Sequence, residues 1–213
     1  MCRFGKIGRF FRSRGYGIHS PFAYRLITEV LRSPYHFYAF SDIERLLDVN
    51  GMLPRKDVAF HRLSFRLVHY LKPRHILEIG SGKGVNTLYI TAPDRRIVST
   101  CIENDTASIK TAQRLLHQFG TTASFREDGS FDTPTTFDAI FVNTHTSPIP
   151  DISMLLSISH ERTFWVFHPL KQHSVKQLYR KIVNDEHVRL SFDMNRVAVL
   201  FIDPSYYKEN YCI

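Results

Sequence analysis

Cysteine is scarce in this 213-residue chain: Cys2, Cys101 and Cys212 are odd in number and far apart. No paired spacing of the kind that builds a disulfide framework or a zinc site is present, so reduced thiols are expected. Glycine and proline number only 10 each, which excludes a collagen-like or low-complexity chain. No apolar run approaches the roughly 20 residues of a membrane-spanning helix, so no transmembrane segment is expected. The N-terminus also lacks the apolar core and small-residue cleavage site of a secretory signal, so a cytoplasmic protein is expected. Acid is what the first 40 residues lack, because Glu29 alone stands against Arg3, Lys6, Arg9, Arg12, Arg14, Arg25 and Arg32. Of the formal charge of +8, +6 therefore belongs to that segment, and the rest of the chain, with 21 basic and 19 acidic groups, is nearly neutral.

What is present is material for a core: 43% hydrophobic residues, with 17 Phe and 10 Tyr, exclude disorder as the main state. Up to about residue 73 the pattern is helical. Ser20-Pro21 provides an N-cap and a proline at the first helical position, Phe22, Leu26, Ile27, Val30 and Leu31 follow at helical spacing, and Pro34 ends the run. A second helix is predicted over 41–49, capped by Ser41 with Glu44 three residues on, and a third over 55–71. From His75 short apolar runs alternate with amphipathic ones. That predicts strands at 75–79, 97–102, 123–127, 138–142 and 163–167, with helices at 84–92, 105–119, 151–160 and 172–186, the signature of a parallel sheet. Two further β-rich runs, 188–192 and 196–202, are separated by Asp193-Met194-Asn195 and read as a hairpin.

The densest information lies in Ile76-Leu77-Glu78-Ile79-Gly80-Ser81-Gly82-Lys83-Gly84-Val85, a buried strand ending in an acid and a Gly-x-Gly-x-Gly turn. Glycine allows the tight turn and lets backbone approach a ligand without a Cβ in the way. A dinucleotide fingerprint would place its third glycine where Val85 stands, and a Walker loop would follow Lys83 with Ser or Thr.

This stretch resembles motif I of the class I S-adenosylmethionine-dependent methyltransferases, and the resemblance extends over roughly residues 60 to 213. It implies an α/β, Rossmann-like, seven-stranded sheet, mostly parallel, with the last strand antiparallel in a terminal hairpin. It implies S-adenosylmethionine as cofactor, with Glu78, Gly80, Ser81, Gly82 and Gly84 around its amino-acid part. Glu103, with Asn104 beside it, would take the ribose hydroxyls about 20 residues beyond the glycines. Asp128 and Gly129 would face the adenine, and Asn143 would end the fourth strand beside the methyl donor. Residues 1–60 form a helical, basic extension capping the acceptor site, and 61–213 the cofactor-binding domain. Gly17-Ile18-His19-Ser20-Pro21-Phe22 and Tyr207-Lys208-Glu209-Asn210-Tyr211 further resemble uncharacterised methyltransferase-like proteins common in Bacteroidetes.

Methyl transfer needs positioning, desolvation and a base for the acceptor. His145 after the fourth strand and His168 after the fifth are candidate bases at the ligand-binding edge, with His19 a third if the N-terminal helices fold over the cleft. Catechol-type relatives use an aspartate and an Asp-Asn pair where this chain has Asn143 and Phe167-His168-Pro169, so a metal-independent enzyme is expected. Asn143-Thr144-His145-Thr146 keeps only the asparagine of the Asn/Asp-Pro-Pro-Tyr motif of base methyltransferases. A small-molecule oxygen or nitrogen acceptor is the expectation. The alternatives are a catalytically lapsed binding or regulatory protein, and an RNA methyltransferase using the basic arm. In that arm Phe4, Ile7 and Phe11 share a helical face ringed by Arg3, Lys6, Arg9 and Arg12, which suits an anionic membrane surface or RNA phosphates, or forms a solvated tail.

Overall fold

A computed structural model describes residues 17–54, 56–128, 135–143 and 149–213. The basic arm, Gly129 and His145 lie outside the described residues. Helix α1 (Pro21–Arg25) begins as expected, with Ser20 Oγ accepting from the Ala23 amide at 3.3 Å, and continues as a π-helical segment, Leu26–Leu31. Helix α2 (Tyr38–Val49) has its N-cap at Phe37, four residues before the predicted Ser41 cap, with no capping side chain. Aromatic packing sets this start instead: Phe37 and Phe40 lie 4.9 and 5.0 Å from the Phe65 ring. Glu44, freed from the capping role, accepts from Arg62 Nε and Nη2 at 2.9 and 2.6 Å.

Helix α3 (Val58–Leu71) leads into β1 (His75–Ile79), followed by α4 (Val85–Thr91), β2 (Val98–Ile102), α5 (Thr106–Phe119), β3 (Ser124–Arg126) and β4 (Phe137–Asn143). Then come α6 (Ile152–Ser157), β5 (Ser159–His168), α7 (His173–Ile182), β6 (Leu190–Asp193), β7 (Ala198–Phe201) and β8 (Glu209–Cys212). Among the described residues the strands form one sheet in the order β3-β2-β1-β4-β5-β7-β6-β8, eight strands where seven were expected. The antiparallel hairpin partner β7 is followed by β8, which pairs parallel to β6 at the edge. The boundary drawn at residue 60 falls inside α3, because Phe60, Leu63, Leu67 and Val68 share one core with the β-residues Ile76, Phe141 and Val166.

The central strands are buried along almost their whole length, as expected of a sheet covered on both faces. One face packs against α1, its π-helical extension and α3, the other against α6 and α7 through Leu155, Trp165 and Ile182. Since β2 lies on one side of β1 and β4 on the other, the strand order reverses between β1 and β4, and a crevice opens at their carboxyl ends. In-register pairing of β4 with β5 sets Asn143 beside His168 at that edge. Cys101 is a free, fully buried thiol on β2, and burial pushes its pKa up. Cys212 is disulfide-bonded, so the expectation of reduced thiols does not hold for it. Among the described residues, no helix is long and apolar enough to cross a membrane.

Candidate functional site

At the carboxyl end of β1 the chain turns through three glycines with left-handed backbones, Gly80, Gly82 and Gly84, at φ of 82°, 52° and 79°. They have different reasons to be glycine. A Cβ on Gly84 would sit 2.7 Å from Ala112 Cβ, so its absence lets α4 pack on α5. A Cβ on Gly82, which lines the crevice, would meet nothing within 4 Å. The loop is pinned from β2: the Glu103 carboxylate accepts from the Gly82 amide at 2.7 Å through Oε2, and from the amides of Asn104 and Asp105 at 3.0 and 3.1 Å through Oε1. Ser81 Oγ is buried without a nitrogen or oxygen partner and lies beside the Cys101 thiol, whose pKa it helps to lower. A buried hydroxyl with only a weakly hydrogen-bonding thiol beside it, in a loop whose neighbouring glycine faces open space, has capacity left for a bound polar ligand.

Beneath the loop Glu78 is completely buried. Its Oε2 accepts from Thr87 Oγ1 at 2.7 Å, and its Oε1 from Asn86 Nδ2 at 2.9 Å and Asn143 Nδ2 at 3.4 Å. Burial raises its pKa above the usual carboxylate value, against the pull of those three donors. Asn143 Oδ1 lies 3.0 Å from His168 Nδ1, and Asn86 Oδ1 lies 3.2 Å from His61 Nδ1. The His168 ring stacks on Phe60 at 3.8 Å and 7°, and its Nε2 is 3.6 Å from Asp57 Oδ1, which is also held by Arg196 at 3.1 Å. Asp57, His61, Asn86, Asn143 and His168 line a cleft of about 180 Å³ closed on its other side by the glycine loop. That is several times the roughly 30 Å³ share of one water, so the cleft has room for part of an organic ligand.

No family model matches the chain, and no curated protein matches it in sequence. Solved structures do match. PaMTH1, a methyltransferase from Podospora anserina bound to S-adenosylhomocysteine, has a TM-score of 0.61 at 14% identity over 95% of this chain and 98% of its own. The O-methyltransferase TomG from Streptomyces achromogenes, in complex with S-adenosylmethionine, has a TM-score of 0.57 at 14% identity over 79% of this chain and 91% of its own. An O-methyltransferase from Bacillus cereus in complex with S-adenosylhomocysteine has a TM-score of 0.57 at 14% identity over 81% and 94% of the two chains. The chain has the methyltransferase fold.

On that fold the residues expected at the site separate into groups. Gly80, Ser81, Gly82, Asn143 and His168 line the cleft, and Glu103 stands behind the loop. Gly84 is spent on helix packing, and Glu78 faces α4 and Asn143 rather than the cleft. Asn104 and Asp128 are exposed, and Asn104 contributes its backbone amide to Glu103. His19 is exposed and outside the cleft. It precedes α1, whose Phe22 stacks on Tyr206 and meets Phe201 edge-on. Phe201 ends the antiparallel β7 and so lies at the amino edge of the methyltransferase sheet, opposite the cleft. Among the described residues, no cluster of three or more His, Cys, Asp and Glu is placed to hold a metal ion.

Asp57, His61 and Asn86 line the cleft without having been expected there; Asp57 and His61 come from the segment before the first strand. Asp57 and His61 stand four apart at the start of α3, polar residues on a face otherwise made of Phe60, Phe65, Leu67 and Val68, and that spacing was the available signal. Burial lowers the His61 pKa below its ordinary 6.5, outweighing the Asn86 hydrogen bond and the Asp57 charge, which both raise it. Below pH 6.5 the unfolded chain therefore binds a proton that the folded chain does not, and stability falls as pH drops from 6.5 towards the folded pKa. Urea unfolding between pH 5 and 8 should show this loss in the wild type and a shallower one in His61→Gln.

Proposed function

We propose that this protein is an S-adenosylmethionine-dependent methyltransferase, metal-independent, acting on an oxygen or nitrogen of a small molecule. The observation that carries the reading is the glycine loop over the β1–β4 crevice, with Gly82 lining it, its amide fixed by Glu103, and the Ser81 hydroxyl buried without a nitrogen or oxygen partner. Gly80, Ser81 and Gly82 would hold the amino-acid part of the cofactor, and Glu103 would govern its ribose end. When bound, that cofactor supplies a methyl group already activated by its sulfonium.

The chain's own contribution is placement and a base. His168, the only one of the three candidate histidines that lines the cleft among the described residues, accepts the acceptor's proton. Asp57 at 3.6 Å stabilises the imidazolium so formed, and Phe60 holds the ring plane by stacking. The neutral Asn143 and His168 replace the carboxylates that a hard divalent cation would need, which supports metal independence.

The test is transfer of radiolabelled methyl from S-adenosylmethionine to a deproteinised small-molecule extract, with and without EDTA. Labelled product should form equally in both and fall at least tenfold in His168→Ala. Loss of transfer on chelation would refute metal independence. Cofactor binding without transfer to any extract would favour the binding-protein reading.

A further inference from the structure

We infer that Glu78 is a positioning residue that holds two histidines, His61 and His168, in the same tautomer, so that the acceptor side of the cleft presents two imidazoles that both lack a proton on Nε2. What these bases would act on rests on the methyltransferase reading; the tautomers themselves do not.

The inference follows hydrogen-bond direction outward from a single atom. Glu78 Oε1 is approached by two side-chain amides, Asn86 at 2.9 Å and Asn143 at 3.4 Å, while Oε2 is met by Thr87 Oγ1 at 2.7 Å. With the carboxylate ionised, or protonated on Oε2 against the Thr87 hydroxyl, Oε1 only accepts, so both amides turn their NH2 groups inward. Each amide must then point its carbonyl oxygen away from Glu78. Those oxygens meet His61 Nδ1 at 3.2 Å and His168 Nδ1 at 3.0 Å, and a carbonyl oxygen requires a hydrogen on the ring nitrogen facing it. Both neutral rings therefore carry their proton on Nδ1.

The arrangement is two-armed, Glu78-Asn86-His61 on one side and Glu78-Asn143-His168 on the other. The arms come from α4 with α3, and from β4 with β5. Buried partners that fix a histidine's tautomer and orientation are the usual means of making one nitrogen the reactive atom. Here one buried carboxyl group does so twice, while the Asp57 charge, 3.6 Å from His168 Nε2 and felt also by His61, favours proton uptake by both rings rather than fixing their tautomer. The role gives Glu78 a function on the side of the loop away from the cleft, and gives His61 a place in the site.

Long-range proton–nitrogen NMR on the uniformly 15N-labelled full chain without cofactor, at pH 8, reads the tautomers directly. The His61→Gln and His168→Gln spectra identify the two rings. Both rings should show a protonated Nδ1 and an unprotonated Nε2. Asn86→Ala should release only His61 to the Nε2-protonated form, and Asn143→Ala only His168. A proton on Nε2 of either ring in the wild type overturns the inference, as does retention of the Nδ1 tautomer in both Asn→Ala variants. Because no cofactor is present, failure to bind S-adenosylmethionine would leave this result standing and would sink only the functional reading.

Discussion

Replacing Gly84 with alanine is expected to destabilise the protein by about 2–5 kcal/mol, the sum of left-handed backbone strain and overpacking. Both parts are visible at the site. Gly84 caps α4 at φ 79°, and its missing Cβ would lie 2.7 Å from Ala112 Cβ and 3.1 Å from Ala112 Cα, atoms of the α5 backbone and its shortest side chain that have no rotamer to escape into. Gly82→Ala separates the two contributions. At φ 52° it meets the same kind of strain with nothing within 4 Å, so about 1–2 kcal/mol is expected there. Urea denaturation of the two variants checks the order. A Gly84→Ala loss no larger than that of Gly82→Ala would mean that the α4–α5 contact yields freely.

The second large effect is on binding. Glu103→Ala should weaken S-adenosylhomocysteine about 10- to 100-fold, the loss expected when charge-assisted hydrogen bonds of about 1.5–3 kcal/mol are removed. In the folded chain this carboxylate gathers three backbone amides, two from its own turn and one from Gly82 on the loop. Removing it would take away the proposed ribose partner and unpin the loop. Glu103→Gln keeps the size but has one acceptor oxygen for three amides, so it should fall between wild type and alanine. Unchanged affinity in Glu103→Ala would show that the ligand does not run along the end of β2.

Much of this architecture is readable from the chain because the relevant signals are local. The run Ile76 to Ile79 is apolar and then stops at glycine, which fixes both strand and turn, and Glu103 follows at the distance that one crossover helix and one strand require. The hairpin is announced by two β-rich runs with almost nothing between them. Where the reading failed, the deciding interactions were distant. Ser41 looks like a cap, but Phe37 and Phe40 gain more by packing on Phe65, and the helix starts earlier. Strand β8 is four residues with a mixed pattern, Glu209 and Asn210 exposed and Tyr211 and Cys212 buried, so alternation over so short a span carries little signal. It forms because β6 offers an open edge.

The site divides along the same line. The glycine loop and the strand-end residues Asn143 and His168 are legible from position alone. Glu78 was legible as an acid near the end of β1 but not in its orientation, which depends on Asn86 and Thr87 in the first turn of α4. Asp57 and His61 were hidden because they belong to a helix before the first strand, and only the tertiary fold brings α3 over the crevice. His19 is conspicuous in sequence beside its Ser-Pro cap, yet α1 delivers it to the other edge of the sheet.

The central claim is that the crevice above β1 and β4 takes S-adenosylmethionine, and titration calorimetry of the full chain with S-adenosylmethionine and S-adenosylhomocysteine tests it most directly. Saturable one-to-one binding of both ligands, weakened in Glu103→Ala, is the predicted result. No heat of binding to wild-type protein at millimolar ligand, with the protein shown to be folded by its unfolding transition, would contradict it.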